Sequence, residues 1–170
     1  MVSLESAIIG SALGGVKKRL PPNGGVSTID GTVSELLTPE GREVWDAALS
    51  RAAAVDRRDL EAVLAHYFQG PEATAVLPGA AEPRRGWSEV KPSLERGIEE
   101  FQQSRTRISE PRVIVMGDWA LLTYRLQSDS RVHDIDFNWV GWISEVFVMR
   151  HGRWLVLHHH ASEAYRPDSL

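Results

Sequence analysis

Histidines alternate with other side chains along the last predicted strand, which contains Leu-His-His-His-Ala-Ser at residues 157–162. Successive side chains on a β-strand point to opposite faces. The alternation predicts that His158, His160 and Ser162 share one face and that His159 lies on the other. We therefore expect His158 and His160 to be neighbours on one surface, and His159 to make a dimer contact or to face solvent.

A carboxylate and a phenol are predicted on the same surface. Glu145 alternates with Ile143 and Phe147, and Tyr124 lies on the matching strand. A histidine beside a carboxylate in an apolar cavity can act as a general base, because burial and their mutual interaction move both pKa values toward neutrality. We expect Glu145 and His160 to share proton transfer. Hydrogen bonds to a carbonyl or its enolate are expected from Tyr124, His158 and Ser162.

Such a site suits proton abstraction next to a carbonyl, followed by isomerisation, dehydration or ring closure. Two other interpretations stay open. His160 and Ser162 can be structural groups that bond to the backbone, as buried polar groups usually do. His158 and His160 can also bind a metal with Glu145 as third ligand, but a His-x-His pair alone is weak evidence. We expect neither a metal nor a cofactor.

Aromatic residues predict an apolar cavity around these groups. The chain has 6 tryptophans, and each buries a large apolar area wherever it lies. A mostly apolar cavity with few polar anchors is typical of a small-molecule pocket. A flat aromatic or polyketide-like ligand would fit it. The predicted ligand contacts are Tyr67, Trp87, Trp139 and Phe147, of which Trp87 could close over the ligand.

The composition and charge of the chain limit the classes of partner that it can bind. The 170 residues carry a formal net charge of −4, which gives no basic field for nucleic acid or an anionic membrane. The absence of cysteine excludes disulfides and thiol nucleophiles and fits a cytoplasmic location. The apolar stretch at residues 7–16 is too short for a transmembrane helix and lacks the flanks of a signal peptide.

The pattern of the chain predicts helices followed by long strands. Thr38-Pro39-Glu40 is a helix start, and the helix that follows has an apolar stripe and a polar face that includes Arg51. A second helix at residues 59–67, a short strand at 73–77 and a third helix at 88–101 follow. Antiparallel strands are then predicted at residues 106–116, 119–128, 136–149 and 154–163. Residues 1–36 are predicted to be a flexible or partner-docking arm, residues 37–165 the folded domain, and residues 166–170 a tail.

Both faces of the last two strands are apolar, which predicts a sheet covered on both sides. The helices can cover one side. A second copy of the chain is the most economical cover for the other, so we expect a homodimer through the sheet. The alternative cover is a helix from the N-terminal arm.

The order of elements and several motifs resemble the nuclear-transport-factor-2-like superfamily, over roughly residues 40–165. Gly86-Trp87 is similar to its glycine before the third helix, and Gly117-Asp118-Trp119-Ala120 to its entrance into a strand. The stretch at residues 153–162 resembles the closing strand of the SnoaL-like branch and of the association domain of calcium/calmodulin-dependent kinase II. The resemblance implies an α+β fold, a cone of three N-terminal helices packed on a strongly curved, mostly antiparallel sheet.

The resemblance implies a pocket but does not choose a function, because the superfamily includes isomerases, dehydratases, cyclases, ligand binders and assembly modules. The pocket arginines of the kinase association domain have no counterparts here, since Leu126 and Glu145 occupy those strand positions. We expect a cofactor-free acid/base enzyme acting on a hydrophobic carbonyl compound. A non-catalytic ligand-binding or assembly module is the alternative, and pairing of Glu145 with an arginine such as Arg125 or Arg112 would favour it.

Overall fold

The computed structural model describes residues 37–78 and 80–164. The predicted arm at residues 1–36 and tail at residues 166–170 lie outside the described residues. The described residues form three helices: α1 at Pro39–Asp56, α2 at Leu60–Leu64 and α3 at Trp87–Glu100. The same described residues also form six strands: β1 at Thr74–Val76, β2 at Arg84–Arg85, β3 at Phe101–Met116, β4 at Trp119–Val132, β5 at Ile135–Arg150 and β6 at Arg153–Glu163.

Helix α1 begins where the sequence predicts. The backbone nitrogen of Gly41 donates to Thr38 Oγ1 at 3.1 Å, and Pro39 lies in the first turn, where no intrahelical donor is needed. The buried stripe of the helix contains Val44, Ala48 and Arg51. An arginine therefore lies on the face of α1 that packs against the sheet, and the prediction that it lies on the polar face is wrong.

Helix α2 is shorter than predicted. Asp59 Oδ1 accepts from the backbone nitrogen of Ala62 at 3.0 Å and caps its start. At the other end Tyr67 pairs with Val156 of β6 in an isolated parallel bridge. The pairing with β6 ends the helix before residue 67, because the chain must become extended there.

The six strands form one curved, open sheet in the order β2-β1-β6-β5-β4-β3. Strands β3 to β6 form an antiparallel meander, and β1 pairs with β6 in parallel. The helices cover the concave face, with α1 packed against β3, β4 and β6. Three N-terminal helices on a curved, mostly antiparallel sheet confirm the predicted fold class.

Strands β3, β4 and β5 extend further than their apolar patterns predict. The polar stretch at residues 128–132 continues β4 rather than forming a loop. Cross-strand side-chain bonds hold this extension: Arg131 Nε donates to Asp136 Oδ1 at 2.7 Å, and Asp129 accepts from Asn138 Nδ2. Pairs of this kind stabilise strands that lack apolar alternation.

A bulge in β6 determines which of its side chains face the helices. Phe147 of β5 pairs with Val156 and Val146 pairs with His158, so Leu157 has no partner of its own. An extra residue on one strand shifts the alternation beyond it. Val156 and His159 therefore lie on the same face, although three positions separate them.

No helix of the described chain, residues 37–78 and 80–164, combines the length and apolar character needed to cross a membrane.

Candidate functional site

A cavity of about 400 Å³ lies on the concave side, between the sheet and helices α1 and α3. Most of its wall is apolar. Its apolar residues include Val55, Leu94, Phe101, Leu126, Trp139 and Ile143. Its size and lining are those of a pocket for one small organic molecule.

A buried ion pair lies beside this cavity. Arg51 of α1 is 6% exposed and Glu145 of β5 is 0% exposed, and Arg51 Nη2 donates to Glu145 Oε1 at 2.5 Å. Arg51 Nη2 also donates to the hydroxyl of Tyr124 at 3.0 Å. The guanidinium carbon lies 5.3 Å from the ring centroid of Tyr67, a cation–π distance. One guanidinium thus joins a carboxylate and two phenols.

His159 makes the second contact to the same carboxylate. Its Nδ1 is 2.6 Å from Glu145 Oε1, and its ring belongs to the cavity wall. An ionised carboxylate can only accept hydrogen bonds, so Nδ1 carries a hydrogen, and in the neutral form of the ring the lone pair is on Nε2. The same carboxylate–imidazole pairing holds a histidine ready to act as a base in many enzymes.

Arg51 and Glu145 each favour the charged form of the other. Burial by itself raises the pKa of Glu145, but the charge of Arg51 and the hydrogen bond from His159 outweigh burial and hold that pKa below its ordinary value. Burial likewise opposes the charged form of Arg51, yet Glu145 raises the pKa of Arg51 above its ordinary value. Both groups are therefore charged at neutral pH.

Both phenols at the site stay protonated. Burial raises the pKa of Tyr124 well above its ordinary value, the charge of Glu145 adds to this, and Arg51 opposes it. Burial also raises the pKa of Tyr67. Because Tyr124 accepts its bond from Arg51, its own hydroxyl hydrogen is available to another acceptor.

Two polar atoms of the ion pair have no hydrogen-bond partner among the described residues. They are Arg51 Nη1 and Glu145 Oε2, both buried. A buried polar atom without a partner costs about 1–3 kcal/mol. Arg51 belongs to the cavity wall, which makes Nη1 a candidate donor to an oxygen acceptor of a ligand.

The prediction that His160 joins Glu145 in the cavity is wrong. Glu145 pairs across the sheet with His159, and His160 is exposed and pairs with Ser144 on the outer face. The bulge at Leu157 is the reason, since it reverses the alternation expected from Trp154 onward.

The same reversal moves the two other predicted donors out of the cavity. His158 Nδ1 is 2.7 Å from Thr74 Oγ1, and Ser162 is exposed, with its Oγ 3.4 Å from the carbonyl of Trp142. The three-ligand metal set of His158, His160 and Glu145 is therefore not brought together.

The other predicted residues divide between the cavity and its surroundings. Tyr124, Tyr67 and Trp139 belong to the cavity wall. Phe147 is buried in the core and does not contribute to the wall. Trp87 also lies outside the wall, with its ring centroid 6.4 Å from that of Tyr67.

Sequence reasoning missed Arg51 and His159. A signal for Arg51 exists, because it lies seven residues after Val44 and therefore on the same side of α1. Its partner is Glu145, whereas Arg125 lies 3.6 Å from Glu110 in an exposed pair. No comparable signal marks the bulge that brings His159 inward.

Comparison with known proteins agrees with this fold. The family model of the SnoaL-like domain matches residues 44–166, while a search of curated proteins finds no match. A candidate dehydratase of the NTF2-like family from Streptomyces avermitilis is 21% identical, with a TM-score of 0.70 over 76% of this chain and 100% of that chain.

Two further solved structures are similar in fold. A candidate scytalone dehydratase from Novosphingobium aromaticivorans is 17% identical, with a TM-score of 0.67 over 79% of this chain and 89% of its own. A candidate calcium/calmodulin-dependent kinase II association domain from Thiobacillus denitrificans is 19% identical, with a TM-score of 0.62 over 75% and 96%. Likeness at such identities shows the fold alone. The family match covers most of the chain, and the chain therefore belongs to the SnoaL-like domain family.

Proposed function

We propose that this SnoaL-like protein binds a small hydrophobic carbonyl compound in its cavity and acts on it as a cofactor-free acid/base enzyme of the isomerase, dehydratase or cyclase type. The observation that carries the proposal is the 2.6 Å contact between His159 Nδ1 and the buried Glu145 Oε1, at the wall of an apolar cavity. The names of the similar structures from Streptomyces and Novosphingobium, both candidate dehydratases, agree with this class.

The proposed proton transfer uses three groups of the cavity wall, His159, Tyr124 and Arg51, together with Glu145 behind His159. His159 Nε2 takes a proton from the carbon next to the substrate carbonyl, and Glu145 stabilises the imidazolium that forms. The hydroxyl of Tyr124 and Arg51 Nη1 donate to the carbonyl oxygen as it becomes an enolate oxygen. The imidazolium then returns its proton to another carbon, which isomerises the substrate, or to a leaving hydroxyl, which dehydrates it.

In this proposal Glu145 is a positioning residue. It is fully buried and lies outside the cavity wall, so it does not touch the substrate and acts on it only through His159. His160 has no part in the mechanism, because it lies on the outer face.

A non-catalytic ligand-binding or assembly module is the second candidate. The observation that favours it is the Arg51–Glu145 ion pair, because a purely structural network would use the same contact. Under this alternative the cavity binds a ligand without moving a proton.

Exchange of substrate protons with solvent distinguishes the two candidates. The probe is 4-acetylbiphenyl in deuterated water, with NMR detection of its methyl protons. We expect the wild-type protein to accelerate the exchange and His159→Gln to reduce the rate by about 100-fold or more. The matched control is His160→Gln, which should exchange like wild type. Binding of the ketone without any acceleration would reject the enzyme and leave the binding module. Full activity in His159→Gln would reject His159 as the base.

The outer face of the sheet is proposed to join two copies of the chain. It exposes several large apolar side chains: Ile114, Met116, Trp119 and Trp142. Exposed apolar side chains on one face of a sheet are typical of protein interfaces. The proposed homodimer leaves the cavity on the opposite face of each sheet free for ligand.

The remaining partners follow from composition. The net charge of −4 argues against nucleic acid and anionic membranes as partners. The absence of cysteine supports a cytoplasmic location as the proposal.

A further inference from the structure

A second polar region lies along the cavity wall, away from the ion pair. It consists of four hydroxyl side chains on β3 and β4, here called the hydroxyl patch: Ser104, Thr106, Ser128 and Ser130. Thr106 pairs across the strands with Ser128, and Ser104 pairs with Ser130. The four hydroxyls therefore form a compact two-by-two array on the concave face.

Helix α1 anchors one half of the hydroxyl patch. Ser104 Oγ donates to Asp56 Oδ1 at 3.2 Å, and the backbone nitrogen of Thr106 donates to Asp56 Oδ2 at 3.0 Å. Asp56 is the last residue of α1. These two bonds fix the position of the β3 half of the hydroxyl patch.

The β4 half of the patch keeps hydrogen-bonding capacity. Ser128 Oγ and Ser130 Oγ lie 2.6 Å apart and bond to each other, although Ser130 is buried. Each hydroxyl has one donor and two lone pairs. After their mutual bond, one donor and several lone pairs remain for a ligand.

The stretch of wall between the two polar regions is apolar. Tyr124 and Ser128 are four residues apart on β4, which corresponds to about 13 Å along a strand. Leu126 lies between them on the same face, and Trp139 pairs with Ser128 from β5. The cavity thus has an apolar middle with a polar group at each side.

The ion-pair end supplies an independent indication of a ligand. Arg51 is more than nine-tenths buried, and its Nη1 has no partner among residues 37–78 and 80–164. The charge of Arg51 is already offset by Glu145. A neutral carbonyl oxygen therefore suits this end better than a carboxylate, which would add uncompensated negative charge.

We propose that the cavity takes an elongated aromatic ligand with a ketone oxygen at Arg51 and Tyr124 and a hydroxyl group at the hydroxyl patch. This assignment rests on the proposed function, because it names the substrate class of the same cavity. A site that bonds a ligand hydroxyl discriminates against the analogue without it. The hydroxyl patch is thus the specificity-determining region, remote from the proton transfer.

Binding of matched ligands tests the assignment. The probes are 4-acetyl-4′-hydroxybiphenyl, which has both groups, 4-acetylbiphenyl, which has only the ketone, and 4-hydroxybiphenyl, which has only the hydroxyl. Dissociation constants are measured by calorimetry on the wild-type protein. We expect the first probe to bind about 10-fold more tightly than each of the other two, one net hydrogen bond being worth about that factor.

The double variant Ser128→Ala/Ser130→Ala removes both partners of the mutual bond, so it leaves neither hydroxyl unpaired. We expect it to abolish the preference for 4-acetyl-4′-hydroxybiphenyl over 4-acetylbiphenyl while the affinity for 4-acetylbiphenyl stays as in wild type. Thr106→Val, which keeps the side-chain shape, gives a second measurement on β3 and should weaken the preference. Ser144→Ala, on the outer face, is the matched control and should keep the full preference.

Equal binding of the two ketones to wild type would overturn the assignment, and so would a preference that survives the double variant. Absence of binding by all three probes would also overturn it. Deuterium exchange of 4-acetylbiphenyl does not involve the distal hydroxyl. An active exchange without any hydroxyl preference therefore rejects this assignment alone and leaves the proposed function standing.

Discussion

The two faces of strand β6 carry neighbouring histidines in different environments. On the inner face, His159 touches a buried carboxylate that also pairs with Arg51. On the outer face, His158 lies against Thr74 and His160 is exposed. The three side chains are the same, so the difference comes from the neighbours that the fold supplies. A buried carboxylate fixes the tautomer and orientation of the imidazole that it contacts, which a position in solvent does not.

The largest difference between the faces is expected for their ion pairs. Arg51→Met leaves Glu145 buried without its partner, and breaking a buried pair in this way typically costs about 3–5 kcal/mol. The matched control is Arg125→Met on the outer face, where the pair with Glu110 is about half exposed. That substitution should cost about 1 kcal/mol or less. Urea unfolding measures the free energy of unfolding that each variant loses. Similar losses in the two variants would show that the buried pair stabilises the fold no more than the exposed pair does.

Acid should remove the stabilising effect of the inner carboxylate. The folded state lowers the pKa of Glu145 from its ordinary 4.5, so its stabilisation is present above that value and is lost as the pH falls through the lowered folded value. We expect wild type to be more stable than Glu145→Gln at neutral pH, with the gap narrowing toward pH 3.

Urea unfolding of the two proteins across this pH range measures that gap. Glu110→Gln on the outer face is the control and should show little difference from wild type at any pH. A wild-type advantage over Glu145→Gln that stays constant into acid would contradict the assignment of charge to this carboxylate.

The outer face should matter for assembly rather than for chemistry. Trp142→Glu places a charge in the proposed interface and is expected to shift the protein from dimer to monomer in native mass spectrometry. The control is Ile135→Glu. It changes an exposed apolar residue that does not belong to the proposed interface, and it should leave the dimer intact. A Trp142→Glu protein that remains dimeric would rule out this part of the outer face as the interface.

The smallest effect on stability is expected from protonation of His158. Burial lowers its pKa from the ordinary 6.5, and the charges of His159 and His160 lower it further. The folded state therefore favours the neutral ring, and stability falls slightly as the pH drops below 6.5 toward the folded value. An NMR titration of the ring should give a midpoint below 6.5. A midpoint at or above that value would show that the outer face does not disfavour the charged ring.

The fold could be predicted because its signals are local and repeated. The Thr38 cap, the turn at Gly117 and the alternation along β4 and β5 each act over a few residues, and the structure has helices and strands where they indicate. The same alternation correctly places Tyr124 in the cavity wall and Glu145 on its side of the sheet. Their catalytic roles remain predictions.

The site was less predictable because it depends on two features without a local signature. The bulge at Leu157 has no glycine or proline to announce it, and one unpaired residue exchanges the inner and outer histidines. Arg51 was assigned to the polar face by its charge. Its burial makes sense only with Glu145, which lies 94 positions later in the chain.

Glu145 uses a single oxygen for two tasks. Oε1 accepts from both Arg51 and His159, while Oε2 has no partner in the described part of the chain. Stability and the proposed reactivity therefore depend on the same atom, so a substitution at position 145 is expected to disturb both at once. A substitution at His159, by contrast, would remove one of the two donors to Oε1 and leave the ion pair with Arg51 in place.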